Sequence, residues 1–317
     1  MSRMTLARLR PIRDLAVLLL GTLSLLFFLL RLTGDPALVL AGPDATEQQV
    51  AAIRAEYGLD RSLPVQYVSY VANLLRLDFG HSLADGSPAL TKVLIAYPAS
   101  LLLAAMAMAV TLLISVPTGA WLGARRHGSA RAAVRWLLFV LQGVPGFVTA
   151  LLLVQLFAIE LVWLPALGSS GPSSLILPTL SVASFLAPKL TRLIEANVAA
   201  AMGSPYVRTA RSIGSSDREI LWRHALPNAL LGATALVGTQ FAFLMTGLVI
   251  IESIFAWPGI GWLLVQSTTA VDFPVVQAIT LTVVVTVFAV NTFVDLMQRR
   301  IDPRLRHREP LAPGAGE

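Results

Sequence analysis

The 317-residue chain has no cysteine, which excludes disulfides, thiolate metal sites and thiol catalysis. Charge is scarce as well: charged residues make up 13% of the chain and hydrophobic residues 56%. That balance belongs to a membrane protein and excludes the two soluble domains that the length alone would allow. The chain lacks a Gly-x-x-x-x-Gly-Lys-[Ser/Thr] phosphate loop, a His-Glu-x-x-His pair and a Gly-x-Ser-x-Gly elbow. Its 4 histidines, His81, His127, His224 and His307, are dispersed, so no metal cluster is expected. The expectation is a chain that is not an enzyme and carries no cofactor or metal of its own.

What the chain has in abundance is apolar length. A span needs about 17–25 mostly apolar residues. Six runs qualify: Leu15–Leu32, Val93–Leu122, Trp136–Ala158, Leu175–Ile194, Ala229–Ile251 and Val276–Met297. The reading is therefore an all-α polytopic membrane protein with six transmembrane helices. The first run follows several arginines, as in a signal peptide, but with five more spans behind it the expectation is a retained helix.

Basic residues fall mainly on one side of these spans. They include Arg3, Arg8, Arg10 and Arg13 in the N-tail and Arg125, Arg126, Arg131 and Arg135 after the second run. Lys189, Arg192, Arg208, Arg211, Arg218 and Arg223 follow, with Arg299, Arg300, Arg304, Arg306 and Arg308 in the C-tail. By the positive-inside rule both termini are cytoplasmic. The net charge of +6 then reflects topology, and no nucleic-acid partner is implied.

The longest external segment, about Thr33–Lys92, is mildly acidic. Thr46 and Gln49 make a capping box for a short helix ending near Gly58. Pro64 opens a second helix, with Val65, Val68, Ala72 and Leu75 on one face and Tyr67 and Tyr70 suited to the membrane interface. A packed external cap is expected. The stretch after Glu309 is rich in Pro, Gly and Ala and reads as a tail. Polar residues inside spans, Gln142, Gln155, Thr239, Gln240 and Asn291, are candidates for a solute path, with helix–helix hydrogen bonding as the alternative. Lys189 and Arg192 are read as snorkelling near a cytoplasmic span end, with Glu195 as their local ion-pair partner. Asp295 is assigned to Arg299 four residues on.

The most informative segment is Ser204-Pro-Tyr-Val-Arg-Thr-Ala-Arg-Ser-Ile-Gly214, continuing to Pro227. Ser204 can cap a helix with Pro205 at its first position. Tyr206, Ala210 and Ile213 are placed on one face, with Arg208 and Arg211 opposite. Gly214 supplies a left-handed helix end, Ser216 and Glu219 a capping box, Asp217 an acid in the positive first turn, and Pro227 a stop or redirection. Two readings follow: a basic loop lying on lipid headgroups, or a rigid module that docks a soluble partner.

The spacing of Gly214, Leu226 and Pro227 before the next-to-last span resembles the EAA loop of permease subunits in ATP-binding-cassette (ABC) importers. Tyr206-Val-Arg-Thr-Ala-Arg211 and Arg223-His-Ala-Leu-Pro-Asn-Ala-Leu230 are similar to the dipeptide/oligopeptide/nickel permease family. So are Arg31-Leu-Thr-Gly-Asp-Pro36, the stretch from Tyr57 to Tyr67, Glu252-Ser-Ile-Phe-Ala-Trp-Pro-Gly-Ile-Gly261, Asp272-Phe-Pro-Val-Val-Gln277, Asn291–Met297 and Asp302-Pro-Arg304. Arg208-Thr209-Ala210 replaces the broader Glu-Ala-Ala pattern in the manner of the peptide branch. His224 replaces a usual isoleucine, and Trp262 a common basic residue.

This resemblance implies a type I ABC-importer permease (MetI-like) fold in a bacterial cytoplasmic (inner) membrane. It divides the chain into residues 1–92 (first span and cap), 93–300 (permease core) and 301–317 (cytoplasmic tail). It implies a second homologous permease subunit, two ABC ATPase subunits carrying ATP and Mg, and an external solute-binding protein that delivers di- or oligopeptides. The ATPase-coupling residues would be Tyr206, Arg208, Thr209, Ala210, Arg211, Ile213, Gly214, Asp217, Arg223, Leu226 and Pro227. The competing functions are import of nickel or another small solute, and ion-coupled secondary transport. The uncharged interiors of most spans weigh against the latter.

Overall fold

The computed structural model describes residues 3–33, 36–42, 45–56, 58–125 and 128–301. Among these, helices dominate, and the nearest approach to a sheet is an isolated bridge between His81 and Pro88. In chain order the helices are α1 (Arg3–Thr33), α2 (Pro36–Ala41), α3 (Glu47–Glu56), α4 (Leu63–Leu75) and α5 (Ala89–Ala124). Next come α6 (Ser129–Gly143), α7 (Gly146–Leu153), α8 (Ile176–Met202), α9 (Pro205–Ser212) and α10 (Asp217–Glu219). The chain closes with α11 (Leu226–Gly247), α12 (Val249–Ile254), α13 (Ile260–Thr269) and α14 (Phe273–Ile301). Expectations resting on Gly34, Asp35, Tyr57, Arg126, the Arg299 side chain and the segment beyond Ile301 lie outside the described residues.

Four of the described helical segments are long and apolar enough to cross a membrane: Ala89–Ala124, Pro172–Met202, Asp217–Gly247 and Phe273–Gln298. A fifth candidate is a bent pair, Ser129–Gly143 and Gly146–Glu160, whose arms meet at 100°. Trp136–Ala158, one span by its apolar run, is broken in the structure. Pro145 is the cause: it lacks an N–H, and Val144 before it is driven to an extended backbone (ψ 122°). The first apolar run lies within the 31-residue α1.

The chain forms two compact units. The first contains residues 1–100 and 258–288. There α4 begins with Pro64 in its first turn, as its sequence dictates, and Thr46 and Gln49 close a reciprocal capping box at α3. Gly58 follows α3 at φ +62°. Tyr67 shares a 2.6 Å hydrogen bond with Ser24 and packs edge-on against Phe27, while Tyr70 donates to the Leu23 carbonyl. These two tyrosines thus tie α4 to α1, and Val65, Val68 and Leu75 are exposed. Asp272, fully enclosed before α14, accepts from the Ser82 hydroxyl and the Leu83 N–H. Lys92 bridges to Asp85 at 2.8 Å, and with Ser87 holds the Asp85 carboxyl well below the usual carboxylate range. Phe79, Ala89, Val93, Ile260, Val275 and Ile279 form this unit's core.

The second unit contains residues 101–257 and 289–317 and is organised around α8. Leu190, Ile194 and Val198 of α8 pack with Ala120 of α5 and Leu226, Ala229 and Ala233 of α11. Small residues permit the close approach. A Cβ at Gly119 would stand 2.8 Å from Ile194, and one at Gly123 would stand 2.6 Å from the Glu195 carbonyl oxygen. Cross-helix hydrogen bonds add direction: Ser115 donates to the Ala187 carbonyl and Asn197 to the Ala229 carbonyl. In α11, Gly238 faces Val294 of α14 so closely that a Cβ there would lie 2.2 Å away.

Candidate functional site

The segment between α8 and α11 folds as a small helix–turn–helix. Pro205 occupies the first turn of α9 behind an extended Ser204. Ser204 departs from expectation: its hydroxyl donates back to the Ala201 carbonyl at 2.6 Å and makes no cap bond. Gly214 closes α9 at φ +91°, with its N–H donated to Arg211 and the Ser215 N–H to Ala210. This is the left-handed helix end that glycine tolerates best. Ser216 then caps the next helix by accepting from the Glu219 N–H. The Glu219 carboxylate, assigned from sequence to the reciprocal half of that box, instead holds Arg223 at 2.9 Å.

The buried face of α9 differs from the sequence assignment. Val207 is fully buried and Ala210 nearly so, against Ile220 and Met202. Tyr206 is 42% exposed and Ile213 78% exposed. Two faces of an eight-residue helix carry apolar side chains, and the face with Val207 finds Ile220 while the other projects outward. Burying Val207 and Ile220 contributes about 1.5–3 kcal/mol each. That core holds α9 against the following helix.

Charges clasp the turn. Asp217 accepts from Arg211 at 3.3 Å and lies 3.7 Å from Arg125 of the preceding inter-helix loop. Arg208 stays exposed, and Thr209 bonds its own helix at the Pro205 carbonyl. Ser216, Arg218, Glu219, Trp222 and Arg223 line a surface depression of about 480 Å³, with Trp222 half exposed. Leu226 is buried in the core around α8.

Pro227 neither stops nor redirects the helix, which runs on from Asp217 to Gly247. The widened π-helical turn Ile220–Ala225 explains this. A proline removes one N–H and crowds the carbonyl four residues back, and a π turn relieves that crowding.

A second polar group lies on α8. Lys189 donates to Gln240 of α11 at 2.9 Å, and Arg192 donates to Gln142 of α6 at 2.9 Å. Neither pairs with Glu195, the partner expected from helical spacing. Glu195 is taken by Arg135 at 2.6 Å. Lys189 also stands halfway along α8, well inside the helix. Of the other path candidates, Gln155 bonds Glu160, Thr239 turns its hydroxyl to its own backbone, and Asn291 is exposed on α14. Two polar pairs therefore join α8 to α11 and to α6, and Lys189 and Arg192 were not among the path candidates. Val207, Trp222, Arg125 and the Arg135–Glu195 pair were also missed. Only Val207 left a local signal, its i,i+3 spacing with Ala210.

Apolar helices of membrane-spanning length around a packed α8, broken once at Pro145 and joined by a rigid basic turn, define a multi-pass membrane transport subunit. The chain belongs to the family described as "Binding-protein-dependent transport system inner membrane component", whose model matches residues 115–307. The model for the N-terminal part of such components matches residues 1–83.

The glutathione transport system permease protein GsiC of Salmonella choleraesuis is 31% identical over 298 residues, covering 92% of this chain and 95% of that protein. GsiC of Escherichia coli K12 is 31% identical over 305 residues, covering 92% and 97%. Among solved structures, the inward-facing MetNI methionine ABC transporter aligns with a TM-score of 0.58 at 15% identity, covering 67% of this chain and 96% of that one. An amino acid ABC transporter solved with histidines aligns at 0.53 and 16% identity, covering 66% and 94%. The fold is therefore that of an ABC-importer permease. The chain is a bacterial inner-membrane permease subunit of an ABC importer, with ATP hydrolysis carried by a separate subunit.

Proposed function

We propose that this subunit imports short peptides by alternating access, driven through the Ser204–Pro227 turn by an ABC ATPase. The observation that carries the reading is the preformed geometry of that turn. Its interior is packed on Val207 and Ile220, its end is set by Gly214 at φ +91°, and Arg208, Ile213 and Trp222 are left outward. A lever must keep its shape under load, and a partner needs exposed anchors of this kind. The peptide class is supported by the relatives named for glutathione, itself a tripeptide, transport.

The complex comprises a second, related permease, two ATPases binding ATP and Mg, and an external binding protein. Both termini and residues 204–228 face the cytoplasm, and residues 35–92 face outward, following the distribution of basic residues. The six runs act as spans, with α6–α7 as the broken one. The test is uptake of a labelled dipeptide into proteoliposomes holding the whole complex. Uptake should require ATP and the binding protein. Proton-driven uptake by this chain alone would overturn the reading in favour of a secondary transporter.

A further inference from the structure

We infer that Lys189 and Arg192 form an anion site on the solute path that receives a carboxylate of the transported molecule; this rests on the importer reading above. Both cations lie on the exposed face of α8, while Leu190 and Thr191 between them, and Pro188 just before, are buried. They are three residues apart, so their Cβ atoms are about 5–6 Å from each other on one face.

Position makes this face unusual. The helix has 27 residues, about 40 Å of rise, and Lys189 is at its midpoint, about 20 Å from either end. That places it inside the candidate span Pro172–Met202. Charged side chains at such depth face a protein interior or a water-filled cavity, because hydrocarbon leaves them unsolvated. Exposed apolar side chains elsewhere in the second unit include Leu113, Leu152 and Phe293. The face bearing Lys189 and Arg192 is thus set apart from the lipid-facing surface.

The partners of the two cations are informative. Each is held by a neutral amide oxygen, Gln240 and Gln142 respectively, at 2.9 Å. The nearby acid, Glu195, is committed to Arg135. Neither Lys189 nor Arg192 has an acidic partner among the described residues. An amide oxygen carries no formal charge, so it attracts a cation less strongly than a carboxylate does. The amides therefore hold the cations in place and yield to an arriving carboxylate. Arg192 also borders a cavity of about 320 Å³ with Arg135, Leu138, Phe139 and Glu195, where two positive charges face one negative.

Gln142 lies in the last turn of α6, just before the chain breaks and turns through 100°. Interrupted helices are where transporters place solute groups, because a free helix end offers unpaired backbone polarity within the membrane. Arg192 is thus joined to the helix end at the Pro145 break, and Lys189, one turn away on the same face of α8, is joined to Gln240. The ligand class is a free carboxylate, such as a peptide C-terminus, with the Arg192 guanidinium suited to bidentate contact.

The cysteine-free chain permits a direct test in membranes carrying the whole transport complex. Gln240→Cys places a thiol beside Lys189, and its reaction rates with anionic sulfonatoethyl and cationic trimethylammonioethyl methanethiosulfonate are measured. Each rate is normalised to that of a free thiol in solution. The anionic reagent should be favoured on the order of tenfold, as expected for a focused positive potential. Adding Lys189→Gln should abolish the preference. Gln142→Cys with and without Arg192→Gln repeats the comparison should the first variant fold poorly.

Dialanine should slow the anionic reaction, and alanyl-alaninamide, which lacks the carboxylate, should not. No reaction with either reagent means a lipid-facing or sealed position and overturns the inference. So does equal reactivity, a preference retained in Lys189→Gln, or protection that fails to distinguish the two peptides. If the preference and protection stand while the complex imports no peptide on ATP, the importer reading fails and the anion site survives it.

Discussion

Gly214→Val is the most exposing perturbation of the coupling turn. A Cβ at this position meets nothing within 4 Å, so sterics with neighbours contribute no penalty. The whole cost is backbone: φ is +91°, a region closed to β-branched residues, at about 1–3 kcal/mol. The turn is held by two hydrogen bonds, Gly214 N–H to Arg211 and Ser215 N–H to Ala210, each contributing about 0.5–1.5 kcal/mol. Strain and restraint are of equal size, so valine opens the turn. A 2 kcal/mol change shifts its open-to-closed ratio roughly thirtyfold.

The assay is peptide-stimulated ATP hydrolysis by the reconstituted complex, with the thermal midpoint measured alongside. Gly214→Val should lose most of the stimulation and leave the midpoint almost unmoved, because the turn is local and the α8 core is untouched. Gly214→Asn should recover it, since asparagine enters the left-handed region more readily. Gly21→Val is the control, a helical glycine with open space and no positive φ. If Gly214→Val couples as well as wild type, the turn is not a lever and the argument from its geometry is wrong.

Three further outcomes are expected. Gly123→Ala should lower the unfolding midpoint of the purified chain, because a Cβ 2.6 Å from a backbone oxygen forces α5 and α8 apart at about 1–3 kcal/mol; Gly143→Ala, with open space around it, should not. Asp85→Asn should weaken the external segment equally from pH 5 to 8. The Asp85 pKa is depressed in the folded chain, so its contribution is complete above the ordinary carboxylate pKa of about 3.9 and fades only as pH falls through the lowered value. A difference that shrinks between pH 8 and pH 5 would contradict that. Ser215→Cys should react with an impermeant maleimide only in inside-out vesicles, and labelling from outside intact cells would reverse the proposed topology.

Local chemistry was the legible part of this chain. Pro205 in the first turn of α9, Gly214 in the left-handed region and Ser216 as a cap were each readable from one residue and its immediate neighbours. Apolar runs located the long helices for the same reason. Pairings across helices were not readable. Glu195 has cations within one turn on its own helix, yet it bonds Arg135 sixty residues earlier. Lys189 and Arg192 bond Gln240 of α11 and Gln142 of α6, partners that no local spacing on α8 indicates. Short amphipathic helices also mislead: on α9 both Val207 and Ile213 are apolar, and only the position of Ile220 decides which is buried. Proline effects were not readable either: Pro145 sits inside a run that reads as one span, and Pro227 reads as a stop. One bends the chain by 100°, and the other is absorbed by a π turn.

The central claim is that a soluble ATPase docks on the Ser204–Pro227 turn. Ile213→Cys tests it most directly, since this side chain is 78% exposed and the chain holds no other thiol. A photoactivatable benzophenone attached there, in membranes containing the complete transport complex, should cross-link to the ATPase subunit, with the yield changing when ATP is added. Cross-linking to phospholipid alone, with or without ATP, would show that the turn lies on the membrane surface and would contradict the account.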